Sequence, residues 1–385
     1  MDHESIFQMS ARLPKDVLEQ EVRRRKSSLN CILLNEGETW FTYDLATFSL
    51  VRIITENVFE LNFLFDQLND FTKTQLLQSC LIKEMLSDFK VQFLSATPKT
   101  LFNYFIYGSP NSNKSIIDGY REIIEGKTRS IKTINDIRKY YESVILPRQI
   151  IHHRKTIKKF HYFRDEPLRI GDPSNRFDFI RGVDGEANII KEMDQALFIL
   201  NRQDLDPYSR SAIFFYLFLS SMPYYNDNYF FAKFLLSVFY ENEVSPFLAV
   251  HLSQMIERYE EWFTKTVKET ESKDNHGDLS HFVFAFLSIL KDGLDFSLQE
   301  IKQKNKAFKN LTAKIQFKGS KSDKQIVEML TQAKIYGSFG LSAQQIASQS
   351  KISMPTVNRC VKKLKDAGLL DITHLGKRDF LRIKE

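Results

Sequence analysis

Apolar residues recur every three or four positions from Phe63 to about residue 300, and that spacing commits most of the chain to helices buried along one face. Thr72–Phe93 shows it most plainly, with Leu76, Leu77, Cys80, Leu81, Met85, Leu86 and Phe89 on one side. The same rhythm predicts helices over about 113–125, 132–146, 186–201, 208–221, 228–241, 245–272 and 278–300. Phe is abundant at 33 residues, whereas Gly (14) and Pro (10) are scarce, a balance that suits long helices with aromatic cores. Breaks fall at Gly108-Ser-Pro110 and across 164–185, which holds Pro167, Gly171, Pro173, Gly182 and Gly185. Residues 1–60 are less regular: a charged helix over Leu13–Leu29, then short strands or a packing arm at Thr39–Asp44 and Phe48–Ile53.

The apolar stretches around Ala212–Leu219 and Phe282–Leu290 are about half as long as a membrane span needs, and the N-terminus through Asp16 has no apolar signal core. A cytoplasmic protein with no membrane contact is therefore expected. Cys31, Cys80 and Cys360 are far apart and match no metal spacing, so they read as reduced thiols, and no metal site is expected. Walker, GxSxG, HExxH and Rossmann glycine patterns are absent.

Charge is unevenly placed. Gly319–Glu385 carries 12 Lys and Arg against 6 Asp and Glu, a surplus equal to the net charge of +6, while residues 1–318 are balanced. A neutral body with a basic end suggests a nucleic-acid-binding appendage. Lys302–Lys318 is lysine-rich, either a linker or a continuing helix, and marks a boundary near 318–322. The expected organisation is 1–74 as an N-terminal packing region, 75–300 as a helical domain, 301–320 as linker or helix extension, and 321–385 as a basic domain.

Within that last segment, Asp323–Ala333 reads as a helix. Ser342 caps a second, and Ser353-Met-Pro355 opens a third that stops at Gly368. Leu369–Thr373 and Asp379–Ile383 are strands around a basic turn. This order resembles the winged-helix domains of bacterial regulators. The third helix turns Val357, Cys360, Val361 and Leu364 inward; Ser353, Thr356, Asn358, Arg359, Lys362 and Lys363 lie outside it, with Lys377 and Arg378 on the wing. Double-stranded DNA is the expected partner, with Asn358 and Arg359 at base edges and the lysines and Arg378 at phosphates. Palindromic operators make a homodimer the matching assembly.

Met222-Pro-Tyr-Tyr-Asn226-Asp-Asn228-Tyr-Phe230-Phe-Ala-Lys233, set between two apolar helices, resembles the central loop of the Fic family, whose signature is HPFxDGNGRxxR. Phe163-Arg164-Asp-Glu-Pro-Leu168-Arg-Ile170-Gly171 is similar to the family's FRxxxVxIG hairpin, a flap that pairs with a target segment. Residues 183–201 and 278–287 resemble the helices on either side, so the likeness spans roughly 75–300. It implies a mainly α fold, a Fic-like helical domain with a short β-hairpin flap, followed by the winged helix.

The resemblance also implies AMP transfer from ATP to a hydroxyl, with the motif histidine as base, the acid on the metal and the glycines and arginines around phosphates. Here Met222 replaces the histidine, Asn226 the acid, Asp227 and Tyr229 the glycines and Phe230 the first arginine. Pro223, Tyr224, Asn228 and Lys233 remain close to the pattern. The family's inhibitory helix, [S/T]xxxE[G/N], is expected near Ser87–Gln92, where there is no glutamate; Ser237…Glu241-Asn242 matches it only by chance. The leading expectation is a Fic-like body without catalysis or cofactor, serving a DNA-binding regulator or adaptor. Two alternatives stand beside it: a nucleotidyl transferase with a rearranged site using ATP and magnesium, and a scaffold that binds a protein at the flap. A basic run, His152-His153-Arg154-Lys155 with Lys158 and Lys159, reads as a solvated face or a nucleic-acid contact.

Overall fold

The structure, a computed structural model, describes residues 4–91, 97–107, 113–168, 176–315, 317–375 and 378–384. Its residues fall into two units: Met1–Val58, Ser87–Leu94 and Asn111–Leu294 in one, and Phe59–Leu86, Ser95–Pro110 and Asp295–Glu385 in the other. In chain order the helices and strands begin with α1 (Ile6–Ser10), α2 (Lys15–Lys26), β1 (Cys31–Leu34), β2 (Thr39–Thr42), α3 (Leu45–Asp66), α4 (Asp70–Val91) and α5 (Pro98–Tyr107). Next come α6 (Lys114–Ile124), α7 (Ile134–Tyr140), a π-helical turn over Tyr141–Ile145, α8 (Leu146–Ile151), α9 (Glu186–Leu200), α10 (Pro207–Ser221) and α11 (Asn228–Glu243). The chain continues through α12 (Pro246–Ala249), α13 (Leu252–Arg258), α14 (Glu260–Thr270) and the 35-residue α15 (Ser280–Lys314). It ends in α16 (Lys321–Tyr336), α17 (Ala343–Ser350), α18 (Met354–Asp366), β3 (Leu370–Leu375) and β4 (Arg378–Ile383). The fold is mainly helical with two small antiparallel hairpins.

The first unit is organised around α10 and α11. Both are buried on nearly every side, as expected of helices apolar all round. Asp206 starts α10 by accepting the N–H groups of Tyr208 and Ser209 at 3.0 and 2.8 Å, with Pro207 in the first turn. Arg210 is buried and donates to the carbonyls of Leu200 and Arg202 at 3.2 and 2.8 Å, satisfying the end of α9. Gly119 of α6 lets α11 approach: a Cβ there would lie 2.9 Å from Val144 and 3.1 Å from Phe234.

The N-terminal residues join this unit by strand-like pairing. Trp40 is fully buried with Ile6, Leu18 and Val22, and its indole N–H donates to the His276 carbonyl at 2.9 Å. Its backbone pairs with residues 277–279, so a side chain at Gly277 would collide with the Glu38 carbonyl. Phe48–Ile53, expected as a strand or arm, is helical. Asp44 caps the Thr47 N–H at 2.8 Å, and Val51, Ile54, Val58, Leu61 and Phe65 bury at helical spacing, so packing overrides the local β-forming sequence. The helix expected over 245–272 is three pieces, and the first break falls where His251 Nδ1 bonds back to the Phe247 carbonyl at 2.7 Å.

In the second unit, the lysine-rich stretch is helix through Lys314, the second half of α15. Lys304 donates to the Ile335 carbonyl at 2.8 Å, and Tyr336 donates to Asn305 at 2.6 Å, tying α15 to the end of α16. A core of Ile326, Leu330, Ile346, Val357, Leu364 and Ile383 holds α16, α17, α18 and the β3–β4 hairpin together. Leu341 pairs with Leu381 through both backbone bonds, at 3.1 and 2.8 Å, adding a third, one-residue rung to that hairpin. Ser342 and Gln345 form the expected reciprocal cap at the start of α17. No helix among the described residues is long and apolar enough to cross a membrane.

Candidate functional site: the α10–α11 loop and the exposed face of α18

The loop from Met222 to Asp227 is bracketed by two non-glycine residues in the left-handed region, Met222 (φ 45°) and Asp227 (φ 63°). Each costs on the order of 1–2 kcal/mol relative to the right-handed form, so the surroundings must hold them. Asn228 does part of this. Its side chain accepts the Tyr224 N–H at 2.9 Å and donates to the Tyr224 carbonyl at 2.7 Å, closing the loop on the first residue of α11.

Arg164 holds the other end. It is fully buried, and its guanidinium donates to the carbonyls of Met222 (2.7 Å), Val183 (2.6 Å) and Glu166 (2.8 Å), while its own N–H donates to the Pro223 carbonyl at 3.0 Å. Burial pulls its pKa below the usual arginine range. Gly182 (φ 74°) is required beside it, since a Cβ would meet Arg164 Nη2 at 2.6 Å and Met222 Cβ at 2.9 Å. Phe163 packs edge-on against Tyr224 at 5.7 Å and is also fully buried. The expectation of a flap hairpin here is corrected in its described part. Phe163–Leu168 contains no strand, and Phe163 and Arg164 are core residues because their ring and guanidinium are consumed by the loop. Ile170 lies outside the described residues.

The face of the loop toward α8 is charged. Asp227 accepts from Arg148 at 3.3 Å, Arg154 at 3.0 Å and Gln149 at 3.2 Å, and its side chain is 4% exposed. Gln149 in turn accepts from the Tyr141 hydroxyl at 2.6 Å, and the Tyr141 ring stacks on Tyr224 at 4.1 Å. Burial lowers the Arg148 pKa, with Asp227 opposing it. The Tyr224 hydroxyl is buried without a hydrogen-bond partner among the described residues, and burial pushes its pKa well up. The Asn226 amide donates to the Lys155 carbonyl at 3.0 Å, and Tyr225 donates to Asp165 at 3.0 Å beneath the Lys155 ammonium. The basic run is thus largely paired: Arg154 with Asp227, Lys155 with Glu166, and Lys158 with Asp165.

Behind the loop, Tyr229 packs edge-on against Phe177 at 5.1 Å, and Phe230 lies 1% exposed. Lys233 is buried over the Tyr229 ring and ion-paired with Asp88 of α4, which also accepts from Tyr120 (2.5 Å) and Ser253 (2.7 Å). Asp88 lies where the sequence offered no glutamate for an inhibitory helix; a shorter acid reaches the Lys233 position across 145 residues. Glu241, in the chance match, accepts from Thr128 and Asn242 at the edge of α11. His251 packs on Phe247 with ring centroids 4.2 Å apart. Among the described residues no cluster of three or more His, Cys, Asp or Glu side chains is arranged to hold a metal.

In the second unit, α18 buries Val357, Cys360 and Leu364 and leaves Ser353, Asn358, Arg359 and Lys362 exposed, with Thr356 half-buried. Ser353 stands at the N-cap position without a side-chain cap bond; its hydroxyl lies 3.0 Å from the Thr356 hydroxyl instead. Lys363 donates to the buried Asp323 at 2.9 Å, and Asp323 also accepts the Ser320 N–H at 3.0 Å. The Lys363 ammonium, with help from Ser320, holds the Asp323 carboxyl down at about 2. Arg378 is half-buried at the start of β4, and Lys377 lies outside the described residues. Burial pushes the Cys80 and Cys360 thiols up to about 12.

Neither a family model nor a curated protein matches the chain. Among solved structures it is similar to the crystal structure of a Fic family protein from Desulfovibrio desulfuricans G20, with a TM-score of 0.55 and 14% identity. That match covers 89% of this chain and 97% of the other, so the chain has the fold of a Fic family protein.

Proposed function

We propose that this protein is a DNA-binding regulator or adaptor, in which a Fic-like body no longer transfers nucleotide and residues 321–385 act as a winged helix. The observation that carries the reading is the outer face of α18. Asn358, Arg359 and Lys362 are exposed on a helix whose opposite face is core, in the part of the chain that holds all of its excess positive charge. Such a helix enters a major groove, where arginine pairs with guanine and asparagine with adenine, and lysines meet phosphates. Homodimerisation would match a palindromic site.

The loop of the first unit supports the same reading from the other side. The residues there do not fit ATP with magnesium. Met222 has no proton-accepting group for a hydroxyl nucleophile. Asn226 donates its amide to the Lys155 carbonyl, and the Asp227 carboxylate is already held by Arg148, Arg154 and Gln149. A negative side chain thus sits where a phosphate cradle would need an opening, and Tyr229 and Phe230 fill the first turn of α11.

Fluorescence anisotropy of the full chain on a random pool of labelled duplexes, followed by selection, tests the reading. Binding that tightens through selection and weakens with salt is expected; no binding at low salt would remove it. Incubation with labelled ATP and magnesium tests the other half, and label on the chain or on a second protein would return the site to catalysis.

A further inference from the structure

Helix α3 carries Leu45, Phe48, Phe59 and Phe63 at 78%, 54%, 74% and 57% exposure. Single exposed apolar residues are ordinary, but four on one line are not. At 100° per residue, positions 45, 48, 52, 56, 59 and 63 fall within an arc of about 80°, forming one straight stripe about 27 Å long. Arg52 and Glu56 occupy its middle, each 66% exposed and 3.9 Å apart. In that order, with arginine N-terminal to glutamate, the pair within the helix is the weaker arrangement.

The stripe has a property that selects its occupant. Read from either end it runs apolar, apolar, charged, charged, apolar, apolar, and its centre is residue 54. Two copies of α3 laid antiparallel across that centre place Leu45 against Phe63 of the second copy and Phe48 against Phe59 of the second copy. Arg52 then meets Glu56 of the second copy, twice over by symmetry. An unrelated partner would need a matching apolar–charged–apolar surface, whereas a second copy supplies it by the two-fold axis. We infer that α3 is the dimerisation surface of this protein, with the Arg52–Glu56 pair exchanged between subunits to fix register. The inference builds on the two-fold pairing in the proposed function and gives it a surface. One helix stripe buries less than the roughly 800 Å² per partner of a standard interface, so the dimer is concentration-dependent.

Sedimentation velocity of the full chain without DNA tests this independently of DNA binding. A monomer–dimer equilibrium is expected, and Phe59→Asp should shift it to monomer with an unchanged helical circular dichroism signal. Arg52→Glu and Glu56→Arg should each give monomer, since like charges then face each other, and an equimolar mixture of the two should recover a dimer. A chain that stays monomeric at every accessible concentration overturns the inference. So does a dimer that the charge reversals leave unchanged, or a mixture no more associated than its components.

Discussion

The carboxylate of Asp227 lies 3.3 Å from the guanidinium of Arg148, and the two side chains are 4% and 2% exposed. Removing one member of so buried a pair leaves the other charge uncompensated, which typically costs about 3–5 kcal/mol. Asp227→Ala is therefore expected to lower stability by about that amount, and Asp227→Asn by less because the amide oxygen can still accept from Gln149. Urea unfolding of both variants checks the order; equal stability of all three chains would show that Arg148 and Arg154 find other partners.

Restoring the imidazole alone should not restore chemistry. In Met222→His the new ring sits at a left-handed turn whose carbonyl is taken by Arg164, while Asn226 and Asp227 remain committed to their present partners. Labelled ATP with magnesium is expected to leave this variant unlabelled. Transfer by the single substitution would mean that the loop opens in solution.

Asp323 ties acid stability to the reading helix. Its carboxyl is held at about 2 by Lys363, against about 3.9 in an unfolded chain. The sign follows: the pairing contributes fully above about pH 4 and is lost as pH falls toward 2. Acid titration followed by circular dichroism should show that part of the transition missing in Asp323→Asn.

Arg359 and Lys362 differ from Lys363 in a way that binding measurements can separate. The first two are exposed, whereas Lys363 is turned onto Asp323. Arg359→Ala with Lys362→Ala should weaken duplex binding and flatten its salt dependence, by about one slope unit per lost phosphate contact. Lys363→Ala should act chiefly on stability, leaving the slope nearly unchanged.

Much of this was legible in the sequence because it depends on short-range spacing. The apolar runs of α10 and α11, the Ser342 cap of α17 and the inward stripe of α18 all follow from neighbours within a few turns. What surrounds the loop did not. Arg164, Tyr141, Gln149 and Arg148 reach it from 58 to 83 residues upstream, and Asp88 reaches Lys233 across 145. Nothing local distinguishes these arginines and acids from solvated ones. The flap expectation failed for the same reason: Phe163 and Arg164 matched a pattern, and only packing revealed that both are spent inside the unit. Residues 1–60 lacked a clear period because Trp40 and its strand are completed by residues 277–279.

The π-helical turn at Tyr141–Ile145 spends one residue more than a regular turn would. That surplus sets the azimuth of everything after it, including Arg148 and Gln149. Deleting Ser143, an exposed residue, would let the segment relax to regular helix and swing α8 by about 100°, carrying both side chains away from Asp227. The internal counterion of the loop is thus keyed to a frame rather than to a residue type. A one-codon loss at a solvent-facing position should be harsher than most substitutions in the core.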